Sequence, residues 1–187
     1  MLLRHVVALS LLATSNTVFA DAIDINLRDT SAQFQYKSSM GRDALGKTEF
    51  HLGFLYATKN NSLGDMGLLV KDELGDNAPG FSVGVGIKGL LAKTKGTNDS
   101  ALALGGMLRY SPPAVSRLGI VGQVYFSPSI VTFGDADRYT ETVGRMEYEV
   151  IPQATAYLGY RKIKFGLKAA PNVILDEGFH VGVRISF

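Results

Sequence analysis

The 187-residue sequence predicts an all-β protein, a transmembrane antiparallel up-and-down β-barrel of about ten strands, with eight strands as the alternative. Three observations predict this fold. Apolar residues recur at every second position of long segments, glycines crowd the opposite face of these segments, and the chain ends on an alternating segment that closes with Phe187. Because successive side chains of a strand point to opposite faces, the alternation gives each strand one apolar face and one polar or small face.

The composition excludes several classes of protein. The 19 Lys and Arg residues nearly balance the 17 Asp and Glu residues, so the chain has no basic footprint for nucleic acid. The sequence contains no cysteine, which excludes a disulfide scaffold, a thiolate metal site and a cysteine nucleophile. We therefore expect no cofactor, no bound metal and no nucleic-acid partner.

Residues 1–20 have the three-part pattern of a secretory signal peptide. Arg4 precedes an apolar run from Val6 to Ala13, and Ala20 ends a stretch that suits signal-peptide cleavage. The run is far shorter than the roughly 20 apolar residues that a membrane-spanning helix needs. We expect secretion through the inner membrane and cleavage after Ala20, which leaves residues 21–187 as one barrel domain in the outer membrane.

Alternation after the signal peptide defines ten candidate strands, and an even number is typical of single-chain bacterial barrels. They cover residues 22–28, 32–37, 47–58, 64–71, 80–92, 100–110, 117–127, 139–150, 154–168 and 174–187. The first two segments are short and could form one continuous strand, which is the reason for the eight-strand alternative.

The connections carry their own signals. Prolines in 111–113 and 151–153 predict tight periplasmic turns, since no ladder donor is needed there. The polar segment 127–138 predicts an extracellular loop. In the ninth strand the apolar parity changes between Tyr160 and Ile163, which predicts either a bulge near Arg161 or the point where the strand leaves the membrane.

The same alternation could belong to a soluble β-sandwich or barrel, which would turn its apolar faces inward. Segment length favours the membrane barrel, because a tilted strand needs roughly 9–11 residues to cross the hydrocarbon. Aromatic residues near the segment ends favour it too, because an interfacial girdle is expected there. The girdle candidates are Tyr56, Tyr110, Phe126, Tyr139 and Tyr160.

The last strand carries the strongest signal. Its alternating apolar residues are Phe179, Val181, Val183, Ile185 and Phe187. A terminal strand of this form resembles the one by which the insertion machinery recognises bacterial outer-membrane barrels. We therefore expect this machinery and outer-membrane lipids to be the partners of a protein that is otherwise a monomer.

The polar faces predict the interior of the barrel. The candidate lumen residues are Glu49, His51, Lys88, Arg109, Glu141, Arg145, Glu147, Glu149, His180 and Arg184. A barrel of eight to ten strands is barely wider inside than its side chains, and an unpaired buried ion costs several kcal/mol. We therefore expect these residues to form a cross-lumen network that largely plugs the barrel.

These features predict a structural or narrow-pore protein that is not an enzyme. A lipid-modifying enzyme is one alternative, since His51 lies near Glu49 and His180 near Ser186. Such a site needs a nucleophile, a base and a carboxylate that converge at the lipid-facing rim. An adhesion or binding scaffold acting through loops such as 127–138 is another alternative.

Several stretches taken together resemble a known family. They are Tyr125-Phe126-Ser127-Pro128-Ser129, Gly134-Asp135-Ala136-Asp137-Arg138-Tyr139, Leu158-Gly159-Tyr160-Arg161 and Asp176-Glu177-Gly178-Phe179-His180-Val181-Gly182-Val183. They are similar to the YfaZ-like family of small bacterial outer-membrane proteins. The resemblance covers most of the chain after residue 20 and is most specific in the C-terminal third. It implies an outer-membrane β-barrel of a Gram-negative bacterium, without an assigned activity.

Overall fold

The computed structural model describes residues 21–44, 46–58, 61–94, 97–168 and 171–187. The expected signal peptide, residues 1–20, lies outside the described residues. Among the described residues, no helix is long and apolar enough to cross a membrane.

Strands make up nearly all of the described chain. Their bounds are β1 Ala22–Leu27, β2 Ser31–Asp43, β3 Gly46–Ala57, β4 Asn61–Glu73, β5 Phe81–Thr94, β6 Thr97–Tyr110, β7 Leu118–Ser127, β8 Thr132–Phe133, β9 Ala136–Ile151, β10 Ala154–Leu167 and β11 Val173–Ser186. Short 3-10 turns occupy Gly75–Asn77, Pro113–Val115 and Ser129–Val131.

Ten of these strands close into an up-and-down barrel, because each pairs antiparallel with its neighbours in the chain order and β1 pairs with β11. Closure runs from the pair Ala22 and Ser186 to the pair Leu27 and Val181. The two-residue β8 adds a short pairing to the start of β6. The expectation of ten strands is confirmed, and the eight-strand alternative is wrong because β1 and β2 are separate, paired strands.

The barrel has two distinct ends. We call the terminal end the one that holds Ala22 and Ser186, together with the connections at 74–80, 111–117 and 152–153. The loop end is the opposite one, and it holds the connection 128–135, of which β8 is a part.

The outer surface is an apolar belt. Its large side chains include Val85, Leu91, Leu104 and Phe179, all of which point away from the barrel axis and are about 70% exposed. All five alternating apolar residues of the last strand lie on this outer face: Phe179, Val181, Val183, Ile185 and Phe187. Such a continuous apolar surface is far larger than water-soluble monomers expose.

Two local expectations, a bulge near Arg161 in β10 and a girdle position for Tyr139, are wrong. Strand β10 keeps one parity throughout, with Tyr157, Ile163 and Phe165 all facing inward, so it has no bulge near Arg161. The register break lies opposite Ile163 and Lys164, and the extra residue belongs to β11. Tyr139 is also no girdle residue, since it is fully buried inside the barrel. In both cases apolar side chains fill the lumen where the sequence suggested lipid contact.

Candidate functional site: the barrel interior

The interior consists of an apolar part and an ionic part. Twelve buried side chains form an apolar cluster, which we call the loop-end core: Leu55, Leu63, Leu90, Ala92, Ala101, Ala103, Tyr125, Ala136, Tyr139, Ile163, Phe165 and Leu175. They come from the strand halves next to the loop end. This cluster seals that end of the lumen with a packed hydrophobic layer, as in the core of a soluble protein.

Towards the terminal end, three arginines share two buried carboxylates. We call Arg109, Arg145, Arg184, Asp24 and Glu147 the arginine cluster. The Arg184 side chain contacts Glu147 at 2.8 Å and Asp24 at 3.2 Å, and Arg145 contacts Glu147 at 2.7 Å. Arg109 also forms an ion pair with Glu147. Asp24 and Glu147 are almost completely buried, so these arginines supply the positive charge that their burial requires.

A second ionic group lies in the middle of the lumen, beneath the loop-end core. The buried Lys88 ammonium pairs with Glu141, and the Tyr139 hydroxyl donates a hydrogen bond to the same carboxylate. The ammonium also lies 4.6 Å from the ring centroid of Tyr125. The two tyrosines thus join the ionic layer to the apolar layer above it.

A third group surrounds Arg161, which is 2% exposed. Its Nε lies 2.8 Å from Asp176 Oδ2, and its Nη1 lies 3.1 Å from Asn26 Oδ1 and also donates to Gln33. Arg28, from the connection 28–30 between β1 and β2, also contacts Asp176, at 3.1 Å. The ion pair therefore sits in a nearly complete set of hydrogen bonds.

The remaining predicted lumen residues take separate positions on the inward face. His51 Nε2 lies 3.3 Å from Asp65, and Glu49 pairs with Lys71 at 2.6 Å. His180 packs edge-on against Tyr157, with the ring centroids 6.0 Å apart. Glu149 is half-buried opposite Thr155 near the terminal end and takes no part in the three ionic groups.

Sequence reasoning missed several charged residues of the lumen. They are Asp24, Lys37, Asp65, Lys71, Arg161 and Asp176. Asp24 alternates with Ile23 and Ile25, so its parity alone could have placed it inside. Asp176 has the parity of His180 and Arg184, so alternation counted back from Phe187 also places it inside, and the bulge in β11 is what turns Leu175 inward.

Inward glycines make room for the large side chains of neighbouring strands. Gly105 pairs with Tyr125, Gly159 with His180, and a Cβ at either glycine would overlap the paired ring. At Gly105 this Cβ would lie 2.6 Å from Cγ of Tyr125. At these positions glycine serves packing, because the space of the absent side chain is occupied by a ring from a neighbouring strand.

We expect Gly105→Val to destabilise the barrel by about 1–3 kcal/mol, since the added side chain overpacks the ring of Tyr125. Gly122→Val is the matched control, because Gly122 faces outward on β7 and a Cβ there would meet nothing within 4 Å. Urea unfolding in lipid vesicles measures both. Equal stability of the two variants would contradict the packing of Tyr125 against Gly105.

The terminal end of the lumen opens into a cavity of about 370 Å³. Lys37, Glu49, Lys71, Arg109, Arg145 and Arg184 are among the side chains that line it. The arginine cluster forms part of its wall. Within the described residues, no group of three or more metal-ligating side chains could hold a metal ion.

A closed ten-stranded barrel with an apolar outer belt and a polar, filled lumen defines a small outer-membrane β-barrel protein. The particular family follows from the sequence. The family model described as YfaZ precursor matches residues 2–187, and the chain belongs to this family. The resemblance to YfaZ-like proteins is thereby confirmed.

Comparisons with other proteins gave three further findings. None of the curated proteins matches the chain significantly. The chain is similar to a solved structure of KdgM porin, with 15% identity, a TM-score of 0.45, and coverage of 91% of this chain and 99% of that chain. It is also similar to a structure of KdgM porin in complex with disordered oligogalacturonate, with 14% identity, a TM-score of 0.48 and the same coverage.

Proposed function

We propose that this protein is a monomeric structural barrel of the bacterial outer membrane, with a lumen that does not conduct ions at rest. The observation that carries the proposal is the loop-end core. Among the described residues, Leu55, Tyr125, Tyr139 and Phe165 are at most 1% exposed, so water does not reach these side chains, which supports a closed lumen at this level. The ionic groups beneath them fill the next part of the lumen with paired side chains.

The proposal includes export and assembly. Residues 1–20 direct secretion and are removed after Ala20. The outward row that ends at Phe187 then engages the barrel-insertion machinery, and the apolar belt contacts outer-membrane lipids. Support for this sequence of events comes from the signal-peptide pattern and from the exposure of the alternating apolar residues in β11.

Recording from the purified, folded protein in planar bilayers tests the closed lumen. We expect no steady conductance, because a packed apolar layer excludes the water thread that ions need. Heat-modifiable migration on a gel checks that the sample is folded before recording. A steady, large conductance from folded protein would contradict the proposal.

A narrow pore is the second candidate, and the cavity at the terminal end is the observation that favours it. This cavity gives solutes access from one side as far as the arginine cluster. A pore would require the loop-end core to rearrange, so its openings would be brief. Brief openings that lengthen in Phe165→Ala, which thins the loop-end core, would favour the pore over the structural barrel.

The proposal includes no catalytic role. Both histidines of the described residues face the lumen, where His51 lies beside Asp65 and His180 beside Tyr157, away from the lipid-facing rim. A role in adhesion has little support from the connection 128–135. It is short, and Asp99 holds it by accepting hydrogen bonds from the backbone N–H groups of Asp135 and Ala136, both at 2.9 Å.

A further inference from the structure

The apolar belt has an open groove where two outward-facing glycines lie on adjacent strands. Gly64 of β4 and Gly89 of β5 carry no side chain in a part of the belt where their neighbours are large. A Cβ at Gly89 would meet nothing within 4 Å, and one at Gly64 would meet only a backbone oxygen at 4.0 Å. The resulting hollow has a volume of about 610 Å³, and its walls include Phe34, Leu52, Phe54, Met66, Leu102 and Phe133.

The groove continues towards the loop end and changes its chemistry there. A second hollow of about 460 Å³ shares Phe54, Gly64, Leu91 and Ser100 with the first. It adds the polar residues Ser62, Lys93 and Asn98, which are paired across three adjacent strands. The groove is thus apolar where it crosses the apolar belt and polar at its edge nearest the loop end.

Among the described residues, Lys93 supplies a positive charge at the polar end. Lys93 is exposed and points outward. The nearby Asp99 carboxylate points into the barrel instead, where it accepts backbone hydrogen bonds from the connection 128–135. The outer mouth of the groove is therefore cationic, and it suits a negatively charged headgroup.

We propose that this groove binds one phosphate-bearing anionic membrane lipid, with an acyl chain lying over Gly64 and Gly89 and the headgroup at Lys93. The occupant is a lipid because the groove is lined by apolar side chains at the depth of the belt and has Lys93 at its loop end, which matches an acyl chain and an anionic headgroup. If the hollow were empty, the side chains of its walls would lack dispersion contacts on that side. A flexible acyl chain is available at that depth in the membrane and supplies these contacts. This inference concerns the outer face and is independent of the closed lumen.

Native mass spectrometry of the full-length folded protein, released from detergent micelles that contain phosphatidylglycerol, tests the proposal. We expect the unmodified protein to retain one phosphatidylglycerol molecule in preference to phosphatidylcholine. Gly89→Leu fills the groove and should weaken this binding by about tenfold or more, since a filled groove excludes the chain. Lys93→Gln should weaken it by about fivefold, as expected for the loss of one cation beside an anionic lipid.

Gly122→Leu is the matched control, because Gly122 also faces outward in open space but lies on β7, outside the groove. It should retain the lipid as the unmodified protein does. Unchanged binding in both Gly89→Leu and Lys93→Gln would overturn the proposal, as would an equal loss in Gly122→Leu. A lipid-free dimer that Gly89→Leu dissociates would also overturn it, since a second copy would then occupy the groove. Lys93→Gln is a surface change, so the test stands even where Gly89→Leu does not fold.

Discussion

Leu104→Arg is expected to destabilise the barrel in a bilayer by about 2–4 kcal/mol, because it places a cation near the midplane of the lipid face. Leu104 is 69% exposed and lies in the middle of β6, with Ile87 and Phe126 as its outward neighbours on either side. Neither neighbour offers a polar partner for the guanidinium. The free energy of unfolding in phospholipid vesicles gives the effect, and urea titration followed by tyrosine fluorescence or by gel migration measures it.

A second arginine variant on the same outer face shows whether the loss of stability depends on the depth of the arginine in the membrane or only on its charge. Asn98→Arg also faces outward on β6, but it lies at the loop end, where an arginine costs only about 0–1 kcal/mol. A large difference between the two variants would locate the hydrocarbon at the level of Leu104. Were Leu104→Arg as stable as Asn98→Arg, the outer belt would not be in contact with lipid.

The fold could be predicted from the sequence because one rule applies to most of the chain. In a small membrane barrel, apolar residues point outward at every second position, so parity gives the face of each residue. Leu104, Ile87 and the alternating residues of β11 follow this rule without exception. Strand number followed from the same alternation once β1 and β2 were recognised as separate strands.

The rule fails where the lumen itself becomes apolar. Ile163 and Phe165 look like lipid-facing residues in the sequence, yet they lie in the loop-end core. Single-strand parity cannot distinguish the two cases, since an apolar side chain suits both lipid and a dry core. Only the three-dimensional meeting of several strands, with Leu55, Leu90 and Tyr139 opposite, shows that this end of the lumen is closed by hydrophobic packing.

The sequence predicts that charged residues in the lumen form ion pairs, but it does not predict which residues pair with each other. The balance of charges on the polar faces required pairing, and Lys88 does pair with Glu141. Parity in β11 places Asp176 inside, but its meeting with Arg161 depends on the register between β10 and β11, and its contact with Arg28 depends on the connection 28–30. The register between strands therefore determines which charges meet. Alternation gives the face on which a residue lies, but it does not give this register.

The strongest consequence of this pairing is expected at Arg161. Arg161→Met should destabilise the barrel by about 3–5 kcal/mol, because it leaves the buried carboxylate of Asp176 with Arg28 as its remaining cationic neighbour. Arg42→Met is the matched control, since Arg42 pairs with Asp72 at 2.8 Å but both side chains are more than half exposed. Such an exposed pair contributes about 0–1 kcal/mol.

The double variant Arg161→Met/Asp176→Leu shows why Arg161→Met loses stability. The cause is either the unpaired carboxylate of Asp176 or the changed packing around residue 161. Replacing both members of a buried ion pair by apolar residues is often neutral, so we expect the double variant to recover most of the stability lost in Arg161→Met. Urea unfolding of the three variants in the same vesicles measures this. If Arg161→Met costs no more than Arg42→Met, water reaches Asp176 freely and the lumen is open at this level. If the double variant is as unstable as the single one, the role of Arg161 is to fill space between β1, β2 and β11, and the requirement for charge pairing in a closed lumen would not hold at this site.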